Sequence, residues 1–299
     1  MGLFDFFRKN KGQDNSTIQS AEKTRAINSH ITVNMGMQGQ PADVIPVERR
    51  IKYAYPSKNN GLYPHEILVL DYADSFYTQD NDYQGFWWYR YGVKNVDSVL
   101  NSLLRKGLIT VAPVAKTVEK RTVAALKEVL DSYGLNLKGK KAVLVQRVME
   151  EIPADGLDRV FPKRLYMRTE KGETELKAEE YISYIHRHDI EDLDIWRLNR
   201  LVYESPSRLS YRDIIWQYLN QRSQEHFSAN DFGLYRNCRY SMALFLGEEG
   251  RIKGELEMLA EVVYFDLTGA GNSFNPEFMY VIAQIFFHTR ILWLQLLRV

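Results

Sequence analysis

Cysteine occurs once in this sequence, at Cys238. No intrachain disulfide or multi-cysteine zinc site can therefore form, and a reducing compartment such as the cytoplasm is the expected setting. A lone cysteine of this kind reads as a small apolar core residue rather than as a nucleophile. Long apolar runs are missing as well. No stretch of about eighteen uncharged apolar residues occurs, so no stable membrane insertion is expected. The nearest approach, FMYVIAQIFFHTRILWLQLLRV at 278–299, sets Gln284, His288, Gln295 and Arg298 on one narrow stripe with Arg290 well off it. That is the pattern of a largely buried helix. The opening MGLFDFFRKNKG has too short an apolar stretch for a signal peptide, with its basic residues behind it. Phe6 also stands where a myristoylation signal needs Ser or Thr. Leu3, Phe4, Phe6 and Phe7 are left as either a weak surface anchor or a frayed end. Net charge is nearly absent, because 39 Lys and Arg stand against 38 Asp and Glu.

Catalytic signatures are equally scarce. There is no P-loop, no nucleophile elbow and no obvious cluster of carboxylates. DFGLYRN at 231–237 shares three letters with a kinase metal-binding motif but lacks the Gly-rich loop and catalytic loop that give the motif meaning. His186 and His188 flank Arg187, ahead of Asp189, Glu191, Asp192 and Asp194. Two residues apart on a helix, the histidines point different ways, so the segment reads as a charged loop rather than a metal site. No catalytic residue, metal ligand or cofactor is assigned.

Regular structure is expected from about Ile45, after a flexible Asn-, Gln-, Ser-, Gly- and Lys-rich tail at 1–45. In GLYPHEILVLDYADSFY, Pro64 sits where a first helical turn tolerates it, and Ile67, Leu70, Ala73 and Tyr77 recur at helical spacing. In NVDSVLNSLLRKGLI, Val96, Val99, Leu100 and Leu103 repeat the pattern, and Lys106-Gly107 marks the stop before an extended Leu108-Ile109. RLYMRTEKGETELKAEEYISYI predicts a strand, a Glu-Lys-Gly turn and a helix. Joined across the gap, Leu103, Gly107, Leu108 and Ile109 with Met167, Thr169, Gly172 and Leu176 resemble the winged-helix family. About 55 residues then stand where a wing hairpin of a few residues is usual, which counts against wing-mediated DNA contact. A helical packing domain that touches no DNA is the other reading of these segments.

The densest signal lies at 122–148, TVAALKEVLDSYGLNLKGKKAVLVQRV. Thr122 can cap a helix carrying Val123, Leu126, Leu130 and Tyr133, which Gly134 ends. Leu135 and Leu137 turn inward, and a second helix from about Lys138 buries Leu144, Val145, Val148 and Ile152. From Lys116 to Arg147 the cations are Lys116, Lys120, Arg121, Lys127, Lys138, Lys140, Lys141 and Arg147. The anions are Glu119, Glu128 and Asp131. The segment is thus +5 in a chain of net +1, which leaves −4 for the remainder. Basic residues at helix starts reinforce the partial positive charge of unpaired backbone N–H groups, a favourable place for phosphate. An ordinary solvated lysine-rich face is the alternative.

Leu126-Lys127, Leu130, Gly134-Leu135, Gly139-Lys140-Lys141, Leu144-Val145 and Arg147-Val148 resemble the SAP domain over about 117–152. The resemblance implies sequence-tolerant binding of double-stranded DNA by Lys120, Arg121, Lys127, Lys138, Gly139, Lys140, Lys141 and Arg147. Some relatives of the family bind RNA or proteins instead. Beyond Asp189 the chain is helix-rich. Two helices around Gly247-Glu248-Glu249-Gly250 faintly resemble one tetratricopeptide pair, with Ala243 and Ala260 as candidate contacts, but no second copy follows at that repeat's spacing.

The expected architecture is mainly α. A flexible tail at 1–45 leads into a winged-helix-like domain at 46–111 plus 162–185. A SAP-like DNA-binding hairpin at 112–153 interrupts that domain, and a helical bundle or short solenoid occupies 186–299. The expected activity is non-enzymatic, phosphate-dominated DNA binding in a bacterial or mobile-element setting, with a protein partner at the C-terminal helices. A scaffold whose basic hairpin docks on an acidic protein is the alternative.

Overall fold

A computed structural model describes residues 44–275 apart from Asn81, Ser207 and Ser273. The tail, except for its last two residues, and the apolar helix expected at 278–299 lie outside the described residues. Mainly helical structure is found, with fourteen α-helices and a two-stranded sheet among the described residues. No helix there is long and apolar enough to cross a membrane.

Helix α1 (Val47–Arg50) continues as a 3-10 turn to Tyr53. Helix α2 (Pro64–Tyr72) begins on Pro64, whose missing N–H costs nothing in a first turn. Both sides of α2 are covered, so Ile67, Leu68, Val69 and Leu70 are all buried. Tyr77 does not extend this helix as its spacing predicts. The chain leaves α2 through a 3-10 turn at Ala73–Ser75, and Tyr77 bridges to Leu165 instead. After α3 (Phe86–Tyr89), helix α4 (Val96–Arg105) is capped by Asn95, whose Oδ1 accepts from Ser98 N at 2.8 Å.

Strand β1 (Ile109–Val111) follows, and its antiparallel partner β2 (Tyr166–Arg168) lies beyond a helical insert. Thr110 faces Met167 across the pair. The expected Glu-Lys-Gly turn is absent. Thr169 caps α9 (Glu170–Ala178) directly after β2, so those three residues form its first turn. Helices α10 (Glu180–Arg187), α11 (Ile195–Glu204), α12 (Tyr211–Ser228), α13 (Phe232–Glu248) and α14 (Ile252–Thr268) complete the body. One apolar core runs from Leu62 through α2, α4, α10 and α11 to Phe245 on α13, so residues on both sides of position 186 share it. The α13–α14 contact does not use the alanine pair. Ala260 is exposed, and close approach occurs where a Cβ on Gly254 would stand 3.0 Å from Leu246 Cδ1.

His186 belongs to the last turn of α10 rather than to a charged loop. Tyr72 OH lies 2.7 Å from its Nε2 and Tyr91 OH 2.6 Å from its Nδ1. His188 points away, with Nε2 2.9 Å from Glu248. Burial, reinforced by Arg90 and Arg187, lowers the His186 pKa to about 4. Burial alone lowers that of His65, stacked on Trp196, to about 4. Free imidazole titrates near 6.5, so the unfolded chain takes up protons first as pH falls. The stability of the neutral buried rings is whole above about pH 6.5 and is lost progressively towards pH 4. Urea-unfolding midpoints are expected to drop across that window, and His65→Phe is expected to make the drop shallower. Parallel profiles for both proteins would contradict this assignment.

Candidate nucleic-acid interface

The insert between β1 and β2 is a four-helix module with its own core. Its helices are α5 (Val114–Lys120), α6 (Val123–Ser132), α7 (Lys141–Glu151) and α8 (Ala154–Val160). Val118, Leu126, Leu130, Leu144, Val148, Ile152, Leu157 and Phe161 are buried together, separately from the main core. Thr122 caps α6 as its position predicts, accepting from Ala125 N at 3.2 Å. Gly134 ends the helix in a left-handed conformation, with Leu135 N donating to Leu130 O. Val123 and Tyr133, both at helical spacing, remain largely exposed because so small a core does not reach the ends of α6.

The second helix starts later than its apolar pattern implies. Lys138 and Gly139 lie in the loop, Lys140 is extended, and α7 begins at Lys141. Asn136 holds the loop through its Oδ1, which accepts from Lys138 N at 2.9 Å. Arg147 reaches back from α7 and donates through Nη1 to Asn136 O at 2.5 Å and Lys138 O at 3.0 Å, with Nε 3.6 Å from Glu151. Its side chain is only 16% exposed. Arg147 is therefore the clamp on the lysine loop. Periodicity places it on the helix but gives no sign of these two carbonyls.

Arg121 is likewise held. Its guanidinium lies 5.2 Å from the Tyr77 ring centroid and 5.7 Å from that of Phe161, joining the body to the module core. By contrast, Lys120, Lys127, Lys138, Lys140 and Lys141 are exposed and make no side-chain hydrogen bond or ion pair among the described residues. Lys138, Lys140 and Lys141 crowd the loop and first turn of α7, where the cap residue Lys140 supplies no side-chain acceptor to the helix N–H groups. Charge and orphaned backbone donors thus coincide there.

Both ends of the module are tied to the body. Ala112 N donates to Leu165 O at 2.8 Å, and Leu165 N donates to the buried Thr117 Oγ1 at 3.1 Å. Thr78 N donates to Arg164 O at 2.7 Å, and Arg164 N returns a bond to Thr78 Oγ1 at 2.9 Å. These bonds fix the direction in which the lysine loop points.

One constellation escaped the sequence reading because its members are far apart in the chain. Glu191, His226 and Cys238 converge, with His226 Nε2 3.0 Å from Glu191 Oε2. Cys238 is fully buried and its Sγ donates to Leu219 O at 3.3 Å. Burial, then Glu191, pushes its thiol up to about 12. A protonated, enclosed thiol is no nucleophile, so this group ties α12 to α13 rather than forming a reaction centre. Among the described residues no group of three or more His, Cys, Asp or Glu is arranged to hold a metal ion.

The insert is thus a compact helical module whose lysine loop lies at a helix start. Residues 117–153 match the SAP domain family, whose members bind nucleic acid. The match does not extend into the segments on which the winged-helix resemblance rested, and that resemblance is not supported. No curated protein and no solved structure matches the chain.

Proposed function

We propose that the chain binds double-stranded DNA with little sequence preference, through phosphate contacts from Lys120, Lys127, Lys138, Lys140 and Lys141, while its helical body recruits a protein partner. The observation that carries this reading is the set of five exposed lysines, without side-chain partners among the described residues, inside a SAP domain. Arg147 and Gly139 shape the loop, and Arg121 anchors the module. No Asn or Gln stands beside the lysines on a groove-facing helix, which fits phosphate contact rather than base reading.

Five phosphate contacts predict a plot of log K against log salt with a slope of about −4.5. Anisotropy titrations of a short labelled duplex measure it. Lys138→Ala/Lys140→Ala/Lys141→Ala is expected to reduce the slope's magnitude by roughly 2.7, at about 0.9 per contact. Arg147→Ala, which loosens the loop without removing a contact, is expected to weaken binding while leaving the slope nearly as it was. Absence of duplex binding at low salt, or indifference to the three lysines, would overturn the reading and favour docking on an acidic protein.

A further inference from the structure

Two segments away from the module combine cations with exposed aromatic rings. Lys52 and Tyr53 stand three and four residues after Arg49 along α1 and its 3-10 extension, and all three are exposed. Arg50, on the other side of that helix, is engaged by Asp194 at 3.2 Å. The start of α1 is fastened to the turn after α3, where Val47 N donates to Gly92 O at 3.0 Å. That turn carries Trp88, Tyr89, Arg90 and Lys94, with Lys94 Nζ 4.7 Å from the Trp88 ring centroid. Tyr53 is 70% exposed and Tyr89 66% exposed. Among the described residues, the side chains of Arg49, Lys52, Arg90 and Lys94 form no hydrogen bond or ion pair, although half-buried Arg90 lies 5.6 Å from the Tyr91 ring centroid. Within 45–53 and 86–95 the anion is Glu48.

We propose that these segments form a second surface, of Arg49, Lys52, Tyr53, Tyr89, Arg90 and Lys94, that binds single-stranded nucleic acid. The argument rests on a difference in chemistry between the two basic regions. The module offers lysines with one exposed ring, Tyr133, which suits a duplex whose bases are already stacked on one another. The second surface offers cations for phosphates and large exposed tyrosine faces for bases that have no stacking partner. Base–aromatic stacking of this kind tolerates any sequence, and a positive track along the backbone completes it. An exposed tyrosine is unremarkable when isolated, but two on neighbouring segments that also carry Arg49, Lys52, Arg90 and Lys94 match one ligand class in charge and chemistry. The proposal goes beyond duplex binding by the module and stands without it.

The test is anisotropy titration of the full chain with short labelled oligo-dT and oligo-U strands at several salt concentrations. Tyr53→Ala/Tyr89→Ala is expected to lower single-strand affinity about tenfold or more. Arg49→Ala/Lys52→Ala/Lys94→Ala is expected to reduce the salt slope by about 2, at about 0.7 per single-strand contact. Lys138→Ala/Lys140→Ala/Lys141→Ala serves as the control and is expected to leave single-strand affinity within about twofold. Binding of either strand with these sensitivities supports the proposal and identifies whether DNA or RNA is held. No single-strand binding by the wild type, or affinity within twofold in the tyrosine variant, overturns it. Duplex binding is read separately in the same proteins, so the two assignments fail independently.

Discussion

Leu130→Ala is expected to unfold residues 114–161 while the rest of the described chain stays folded. Leu130 is fully buried at the end of α6 in a core of eight buried side chains. Truncating such a residue costs about 2–5 kcal/mol. A core of this size rarely supplies more than about 3–5 kcal/mol, so the cost is comparable to the module's whole stability. The main core contains none of these residues and loses nothing directly. Hydrogen exchange separates the two regions. Amides of α6 and α7 should lose protection in the variant while those of α2 and α10 keep theirs. Duplex affinity should fall with the protection of α7, because the lysine loop depends on Arg147 and Asn136 for its shape. Loss of protection everywhere at once would mean that the inserted module and the body fold as one unit. Unchanged protection would mean that the module draws more stability from its tethers at Leu165 and Tyr77 than its core provides.

The parts of this architecture that were legible in the sequence are those fixed within one or two turns of helix. Thr122 as a cap, Leu126 and Leu130 on one face, and Gly134 as a stop all act between residues a few positions apart, and the helix forms as that spacing predicts. Leu144, Val148 and Ile152 are buried as expected, whereas Val145 is only half-buried. The start of α7 was not legible, because Asn136 and the returning Arg147 side chain decide where the loop ends. The same limit applies to Tyr77. Helical spacing continues through it, but a bridge to Leu165, far along the chain, takes its backbone out of the helix. Of the eight residues expected at the DNA surface, the two arginines are the ones held by distant partners. Arg forms a planar fork of donors and stacks on rings, so it is readily captured by carbonyls and aromatics, whereas a lysine ammonium on a flexible stem stays in water. Residue type alone marks seven of the eight, all but Gly139, as cations. Only the fold separates the clamp and the anchor from the free charges.

Gly172→Ala is expected to be strongly damaging to the body. The sequence around it, Glu-Lys-Gly, resembles a turn, but Gly172 lies inside the first turn of α9 and is buried. Helix propensity alone would favour alanine there by about 1 kcal/mol. Packing decides the other way. A Cβ at Gly172 would stand 2.1 Å from Leu108 O, which is a backbone atom and not the mobile end of a side chain. That carbonyl accepts from Thr169 N at 3.1 Å, and Leu108 N donates to Leu103 O at 3.0 Å. Thr169 Oγ1 further donates to Gly107 O at 2.8 Å. Relieving the clash therefore means moving the end of α4, the start of β1 and the cap of α9 together. Overpacking against such a framework costs about 3 kcal/mol, which corresponds to a melting temperature lower by roughly 6–12 °C for a chain of this size. Gly134→Ala provides the comparison. Gly134, unlike Gly172, has a left-handed backbone, with φ +67, and nothing lies within 4 Å of an added Cβ. Its cost is expected to be about 1–2 kcal/mol from backbone conformation alone, and to fall on the module rather than the body. Thermal unfolding followed at Trp87, Trp88, Trp196 and Trp216, all outside the module, reads the body. A shift for Gly172→Ala no larger than that for Gly134→Ala would show that the α9–β1 contact yields, and that the close approach at Leu108 is not what fixes the strand pair at the base of the insert.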